Sequence, residues 1–136
     1  MNNIILCEGF DDVYILGYYI YKTSNKPKWE YNNKVILSEN FSLPKIDPRN
    51  QKIEYYVREN HKLVIWCVGG KDNFNDALKA IYTFNTSSPN ERFKEIIIFA
   101  DRDERSIDDC VKNLSQEFTD LGWNMELTNN VQNVFN

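Results

Sequence analysis

Acidic side chains directly follow two short apolar runs of this sequence. The run at residues 96–99 leads to Asp101 and Asp103, and the run at residues 4–7 leads to Glu8. Four bulky residues in a row are too few for a helix and too uniformly apolar for a half-exposed strand, so each run predicts a strand covered on both faces. Ligand sites in open α/β sheets lie beyond the carboxyl ends of such strands. The three carboxylates are therefore expected at an active-site edge.

Carboxylates in this arrangement predict a metal site. Bringing Glu8, Asp101 and Asp103 together concentrates like charge, which costs stability unless a cation neutralises it. Hard oxygen ligands without His or Cys select Mg²⁺ or Mn²⁺, the ions used in phosphoryl transfer. The competing interpretation, a helix-entry or solvated loop acid, applies best to Asp11, Asp72 and Glu104.

The composition limits the function classes that remain open. With 136 residues, 42% of them hydrophobic, the chain predicts one domain with a single core. Its 16 Lys and Arg against 20 Asp and Glu give a net charge of -4, the wrong sign for holding nucleic acid by bulk electrostatics. A polyanionic substrate would then need a metal ion or a partner protein.

Three cysteines without Cys-x-x-Cys spacing predict reduced thiols and a cytoplasmic location, and no segment predicts membrane insertion.

Two glycine turns are predicted beside the acids. Gly9 allows a sharp turn after Glu8, and a helix follows on an apolar stripe of Val13, Leu16, Gly17 and Ile20. A third buried strand, residues 63–68, ends at Gly69, Gly70 and Lys71. Backbone N–H groups and a lysine at such a turn can hold a phosphate, although a plain turn capped by Asp72 or Asn73 fits equally well. The next helix is predicted on Phe74, Ala77, Leu78, Ile81 and Tyr82.

The remaining segments give weaker signals. The Asn32-Asn33 pair predicts a hairpin inserted at the sheet edge within residues 25–45. Asp47 and Pro48 predict the start of a helix that carries Ile53, Tyr56 and Val57 and ends at His61. A helix over residues 106–121 and a strand over residues 123–127 should follow Asp103, with a natural continuation past Asn136.

The alternation of strands and helices predicts an α/β fold. A mainly parallel central sheet with helices on both faces accommodates this order, and residues 1–136 form one domain in this interpretation.

Three of these motifs together resemble the Toprim domain. They are Glu8-Gly9-Phe10-Asp11-Asp12 after the first strand, Gly69-Gly70 after a middle strand, and Asp101-Arg102-Asp103 after a later strand. The family includes the catalytic domains of bacterial primases and topoisomerases, ribosomal-RNA maturases and overcoming-lysogenization-defect nucleases. The run from Val68 to Asn73 is similar to small stand-alone Toprim-like proteins.

The resemblance implies a role for each matching acid. Glu8 would act as general acid or base or as a metal ligand, Asp101 and Asp103 would bind Mg²⁺, and Asp12 would hold a second ion. Gly9, Gly69, Gly70 and Lys71 are the expected substrate contacts, with Lys71 acting on the phosphate during catalysis. Because Glu104 and Arg105 stand where primases and many topoisomerases carry small residues, we expect a nuclease or nuclease subunit acting on DNA or RNA.

Other functions remain open at this point. A haloacid-dehalogenase-type phosphatase also uses an Asp-x-Asp after a strand, but only 33 residues follow Asp103 to supply its further motifs. A phospho-receiver module would carry a lone phosphorylated Asp. The non-enzymatic alternative is a Toprim-like binding or regulatory module that acts with a partner protein or as a homodimer.

Overall fold

The computed structural model describes residues 2–23, 25–32, 49–100 and 116. Met1–Ala100 is one compact unit and Asp101–Asn136 is another. The described residues of the first unit form the strands β1 (Asn2–Cys7), β2 (Glu30–Tyr31), β3 (Lys52–Arg58), β4 (His61–Cys67) and β5 (Phe93–Phe99). They also form the helices α1 (Phe10–Thr23) and α2 (Phe74–Ser87), with a 3-10 helix, Lys71–Asn73, before α2.

The described residues have an α/β fold with a five-stranded mixed sheet in the order β2-β3-β4-β1-β5. Strand β1 pairs in parallel with β4 and β5, so Cys7 lies between Cys67 and Phe99. The common direction predicted for these three strands is confirmed. Strand β3 pairs antiparallel with both β2 and β4. The expectation of a mainly parallel sheet is therefore wrong, because a hairpin extends one side of the parallel part.

Both faces of β1 are buried. Successive strand residues point to opposite faces, so Ile5 and Cys7 lie on one face and Ile4 and Leu6 on the other. None of the four is more than 8% exposed. The burial predicted for this strand is confirmed, and it is typical of strands at the centre of an α/β sheet.

Helix α1 covers the face that carries Ile5 and Cys7. Its Val13 is fully buried in one apolar cluster with these residues. Gly17 lies so close to β3 that an added Cβ would collide with the Tyr56 hydroxyl. The helix predicted from the apolar spacing is therefore confirmed, and Gly17 is the residue that lets it approach the sheet.

Helix α2 buries the stripe predicted for it, except at Tyr82. Tyr82 is 39% exposed, and Phe84 is buried instead. The Phe84 ring lies 5.3 Å from the Phe93 ring. Asn85 fixes the same junction, since its Oδ1 accepts a hydrogen bond from the Phe93 N–H at 2.8 Å. Because crossovers between parallel strands are generally right-handed, we expect α2 on the face opposite α1.

The helix predicted to end at His61 is a strand. Lys52–Arg58 is β3, joined to β4 by a tight turn in which Glu59 has φ 53°. Ile53, Tyr56 and Val57 fit a helical stripe, but the segment is rich in aromatic and β-branched residues, which favour strands. The segment pairs with β4 along its whole length, and this pairing favours the strand over the helix. His61 accordingly begins β4 and ends no helix.

Strand β5 is less covered than its sequence predicts. Ile97 is 47% exposed. Among the described strands it lies last in the sheet order, and α1 packs over β3 and β4 at the other side. A run of apolar residues therefore did not distinguish the outer strand from the central one.

Several predicted elements lie outside the described residues. They are the second strand of the hairpin at residues 34–37, the helix at residues 106–121 apart from residue 116, and the strand at residues 123–127. Of the hairpin, Glu30–Tyr31 forms β2, which pairs with β3. Within the described ranges neither helix is long and apolar enough to cross a membrane.

Candidate functional site

Glu8 lies at the carboxyl end of β1, between β4 and β5. Its carbonyl oxygen accepts hydrogen bonds from the Gly69 N–H at 3.1 Å and from the Cys67 thiol at 3.5 Å. Its side chain is half-buried, with the Oε1 atom out of contact with solvent. The main chain of Glu8 is thus fixed by the neighbouring strand, and its carboxylate lies at the edge where the sequence predicts a site.

Asp12 contacts the turn that follows Glu8. Helix α1 begins at Phe10, so Asp12 is the third helical residue, and its Oδ2 accepts a hydrogen bond from the Gly9 N–H at 3.0 Å. This is the backward contact of a capping box, which satisfies one of the N–H groups left open at a helix start. Asp12 therefore has a structural role whether or not it holds a metal ion.

Gly9 is not required by the local backbone. It is absent from the residues with positive φ, and the nearest atom to an added Cβ is Asp12 Oδ2 at 3.9 Å. The turn after β1 would accept alanine. Close approach of a substrate, as the sequence predicts, would be a separate reason for glycine at this position.

The Gly69-Gly70 turn depends on its glycines. Gly69 has φ 85° and Gly70 has φ 130°, a region that side chains rarely adopt. An added Cβ on Gly69 would also lie 3.1 Å from the Asn50 carbonyl oxygen, whereas Gly70 has open space around it. The Gly69 N–H donates to the Glu8 carbonyl oxygen. The substrate contacts expected of Gly69, Gly70 and Lys71 stay a prediction.

The main chain directly before the glycine turn is held by side-chain amides. Asn73 precedes α2 without capping it, and its Nδ2 donates instead to the Val68 carbonyl at 2.9 Å. Gln51 donates to the same carbonyl at 2.9 Å. Lys71 begins the 3-10 helix, but its side chain lies outside what the structure describes.

The two thiols beside Glu8 are held in the protonated form. Burial raises the pKa of Cys7 far above its usual value, and the nearby Cys67, Asp12 and Glu8 raise it further. Burial, with a smaller effect of Asp12, also raises the pKa of Cys67. Burial therefore disfavours the thiolate, which is the nucleophilic form of cysteine. The carboxylate oxygens predicted at this edge are ligands of the kind that fits Mg²⁺ better than zinc.

The predicted metal ligands are only partly described. Glu8 and Asp12 lie on either side of the β1–α1 turn, whereas Asp101 and Asp103 lie outside the described residues. Among residues with a described position, no group of three His, Cys, Asp or Glu side chains could hold a metal ion. Assignment of the four acids as ligands stays a prediction.

Sequence reasoning missed two features near these residues. One is Gln51, whose side-chain amide holds the Val68 carbonyl before the glycine turn and for which the sequence carried no recognisable signal. The other is a row of exposed tyrosines on α1, Tyr14, Tyr18 and Tyr21, whose steps of four and three residues were visible in the sequence.

Comparison of the chain with protein-family models, with curated proteins and with solved structures finds no match.

Proposed function

We propose that the protein carries out Mg²⁺-dependent phosphodiester chemistry on nucleic acid, as a nuclease or nuclease subunit of the Toprim type. The observation that carries the proposal is the position of Glu8, a half-buried acid at the carboxyl end of a central strand flanked by two parallel neighbours. This is the position at which open α/β sheets bind their ligands.

The arrangement of β1 and β5 gives further support. The two strands are adjacent and parallel, with Cys7 opposite Phe99. In the sequence Glu8 comes one residue after Cys7, and Asp101 comes two residues after Phe99. The two acidic motifs of the Toprim resemblance thus follow neighbouring strands that run in the same direction.

In the proposed reaction each acid has one task. Mg²⁺ held by Asp101 and Asp103 would neutralise the charge that develops on a non-bridging phosphate oxygen. Glu8 would take the proton from the attacking oxygen or return one to the leaving oxygen. Asp12 would help to hold a second ion through the oxygen that does not bind Gly9, and Lys71 would contact the phosphate.

Incubation with labelled nucleic acids tests the proposal. Single- and double-stranded DNA and RNA are each incubated with purified protein in Mg²⁺ and in Mn²⁺, beside the Asp101→Ala variant. A matched control is Asp76→Ala, which removes an exposed acid from α2. We expect cleavage that depends on the metal, is lost in Asp101→Ala and is retained in Asp76→Ala.

A regulatory module with the same fold is the second candidate. The net charge of -4 favours it, since such a chain would need a partner to engage nucleic acid. Absence of cleavage of all four substrates by the isolated chain, with both metals, would support this candidate over the enzyme.

A further inference from the structure

One side of α1 carries three exposed tyrosines. Tyr14, Tyr18 and Tyr21 are 55%, 66% and 54% exposed. Steps of four and three residues bring them to one side of the helix, and we call them the tyrosine stripe. Large aromatic side chains in an exposed row are unusual on a helix whose other side is already packed on a sheet.

Each ring of the tyrosine stripe has a lysine above it. The Nζ atoms of Lys52, Lys22 and Lys28 lie 4.7, 5.6 and 5.1 Å from the ring centres of Tyr14, Tyr18 and Tyr21, within the range of cation–π attraction. Lys52 also donates to the Tyr14 hydroxyl at 3.3 Å and pairs with Glu54 at 3.4 Å. Cations are therefore concentrated on this face of a chain whose net charge is -4.

We infer that the tyrosine stripe and its three lysines bind single-stranded nucleic acid. Bases would stack on the tyrosine rings, and the lysine ammonium groups would contact the phosphates. Aromatic platforms beside cations are the general means of holding single strands without sequence preference. The inference goes beyond the proposed cleavage, because this surface needs no metal ion.

The spacing of the rings favours a single strand over a duplex. Along the helix axis the Cα atoms of the three tyrosines are separated by roughly 6 Å and roughly 4.5 Å, from the helical rise of about 1.5 Å per residue. These steps exceed the rise of about 3.4 Å per base in a stacked DNA strand. Only bases free to spread apart can follow them.

The lysines favour nucleic acid over a protein partner. Tyrosine is common at the centres of protein–protein interfaces, but lysine is depleted there. Here every ring of the stripe lies beside a lysine that can contact a phosphate, Lys52 in exchange for its ion pair with Glu54.

Fluorescence anisotropy with labelled 12-nucleotide oligo(dT) and oligo(U), in EDTA and low salt, tests the inference. We expect Tyr18→Ala to weaken binding about fivefold or more, the effect of losing one stacked base. The matched control is Tyr19→Ala, which removes a tyrosine that is 53% exposed but lies about 100° further round the same helix. It should bind as the wild type does.

The salt dependence supplies a second readout. Three phosphate contacts predict a slope of about -2 for log K against log salt concentration, and Lys28→Ala should reduce its size by about 0.7. Lys79→Ala, which removes an exposed lysine from α2, should leave it unchanged.

Several results would overturn the inference. They are equal affinities of Tyr18→Ala and Tyr19→Ala, equal binding of a duplex of the same length, no binding of either oligonucleotide, or self-association of the protein that Tyr18→Ala abolishes. Because the assay contains no metal, its failure leaves the cleavage assay to decide the proposed function separately.

Discussion

At the residue scale, the main chain of Glu8 is held independently of its side chain. The Gly69 N–H and the Cys67 thiol bind its carbonyl oxygen, so the position of the residue does not depend on its carboxylate. A change from Glu8 to Gln should therefore alter charge and basicity without moving the strand end. The sequence placed this acid correctly, because it directly follows a buried run. It could not show that the Gly69 N–H is used inside the fold.

Alanine should be tolerated at Gly9 but should destabilise the protein at Gly69. We expect Gly9→Ala to change the free energy of unfolding by less than about 0.5 kcal/mol, since φ is not positive and no atom is close. Gly69→Ala should lose about 1–3 kcal/mol, because its φ of 85° and its contact with the Asn50 carbonyl both oppose a side chain. Urea denaturation of the two variants measures this difference. A strongly destabilised Gly9→Ala would show that the turn itself needs glycine.

Stability should decrease in alkaline solution because of the buried thiols. Burial raises the pKa of Cys7 above its ordinary value of 9.0, so the folded protein keeps a proton that the unfolded chain releases. The unfolded state then binds fewer protons, and the free energy of unfolding falls as pH rises above about 9, by about 1.4 kcal/mol per pH unit for each such thiol. Below that pH the stabilisation is fully present.

The Cys7→Ala variant isolates this effect. It should be less stable at neutral pH, because it leaves a small cavity, but its stability should fall less steeply between about pH 9 and pH 10 than that of the wild type. Denaturant midpoints at several pH values measure both quantities. Parallel curves for the two proteins would mean that Cys7 ionises normally in the folded state.

At the element scale, the contact between α1 and β3 depends on one small residue. Gly17 leaves room for the Tyr56 hydroxyl, which donates to Glu54 Oε2 at 2.8 Å. The apolar spacing of α1 predicted which side of the helix is buried. It did not predict the partner strand, because the same spacing rule made a helix of the segment that is β3.

Gly17→Ala should destabilise the protein through this contact. We expect a loss of about 1–3 kcal/mol from overpacking. Most of the loss should disappear in a Tyr56→Phe background, which removes the colliding hydroxyl. A double-mutant cycle by chemical denaturation measures the coupling. An equal effect of Gly17→Ala in both backgrounds would show that its cost does not come from the Tyr56 hydroxyl.

At the scale of the whole molecule, runs of consecutive apolar residues predicted strands correctly. Apolar residues spaced along the sequence did not always distinguish a helix from a strand. Strands β1, β4 and β5 and the helices α1 and α2 were predicted, because an apolar run or a helical stripe leaves a pattern that few other structures share. Strand β3 was missed, since Ile53 and Val57 satisfy a helical spacing and a strand spacing alike. The mixed character of the sheet followed from that strand, and the sequence could not reveal it.

The site was predictable to a similar degree. An acid that follows a buried strand has a position fixed by the fold, which is why Glu8 lies where it was expected. The hydrogen bond from the Gly9 N–H to Asp12 was harder to foresee, because it requires α1 to begin at Phe10, the residue after Gly9. The tyrosine stripe shows that exposed residues can carry a regular pattern as well as buried ones.

The rate at which the Glu8→Gln variant cleaves nucleic acid under single-turnover conditions in Mg²⁺ tests the proposed chemistry most directly. The matched control is Glu95→Gln, which neutralises an exposed acid on β5. Loss of a general acid or base typically slows a reaction by about 10² to 10⁴-fold, so we expect that loss in Glu8→Gln, with Mg²⁺ affinity changed far less, and a normal rate in Glu95→Gln. Cleavage by Glu8→Gln at the wild-type rate would contradict the assignment of Glu8.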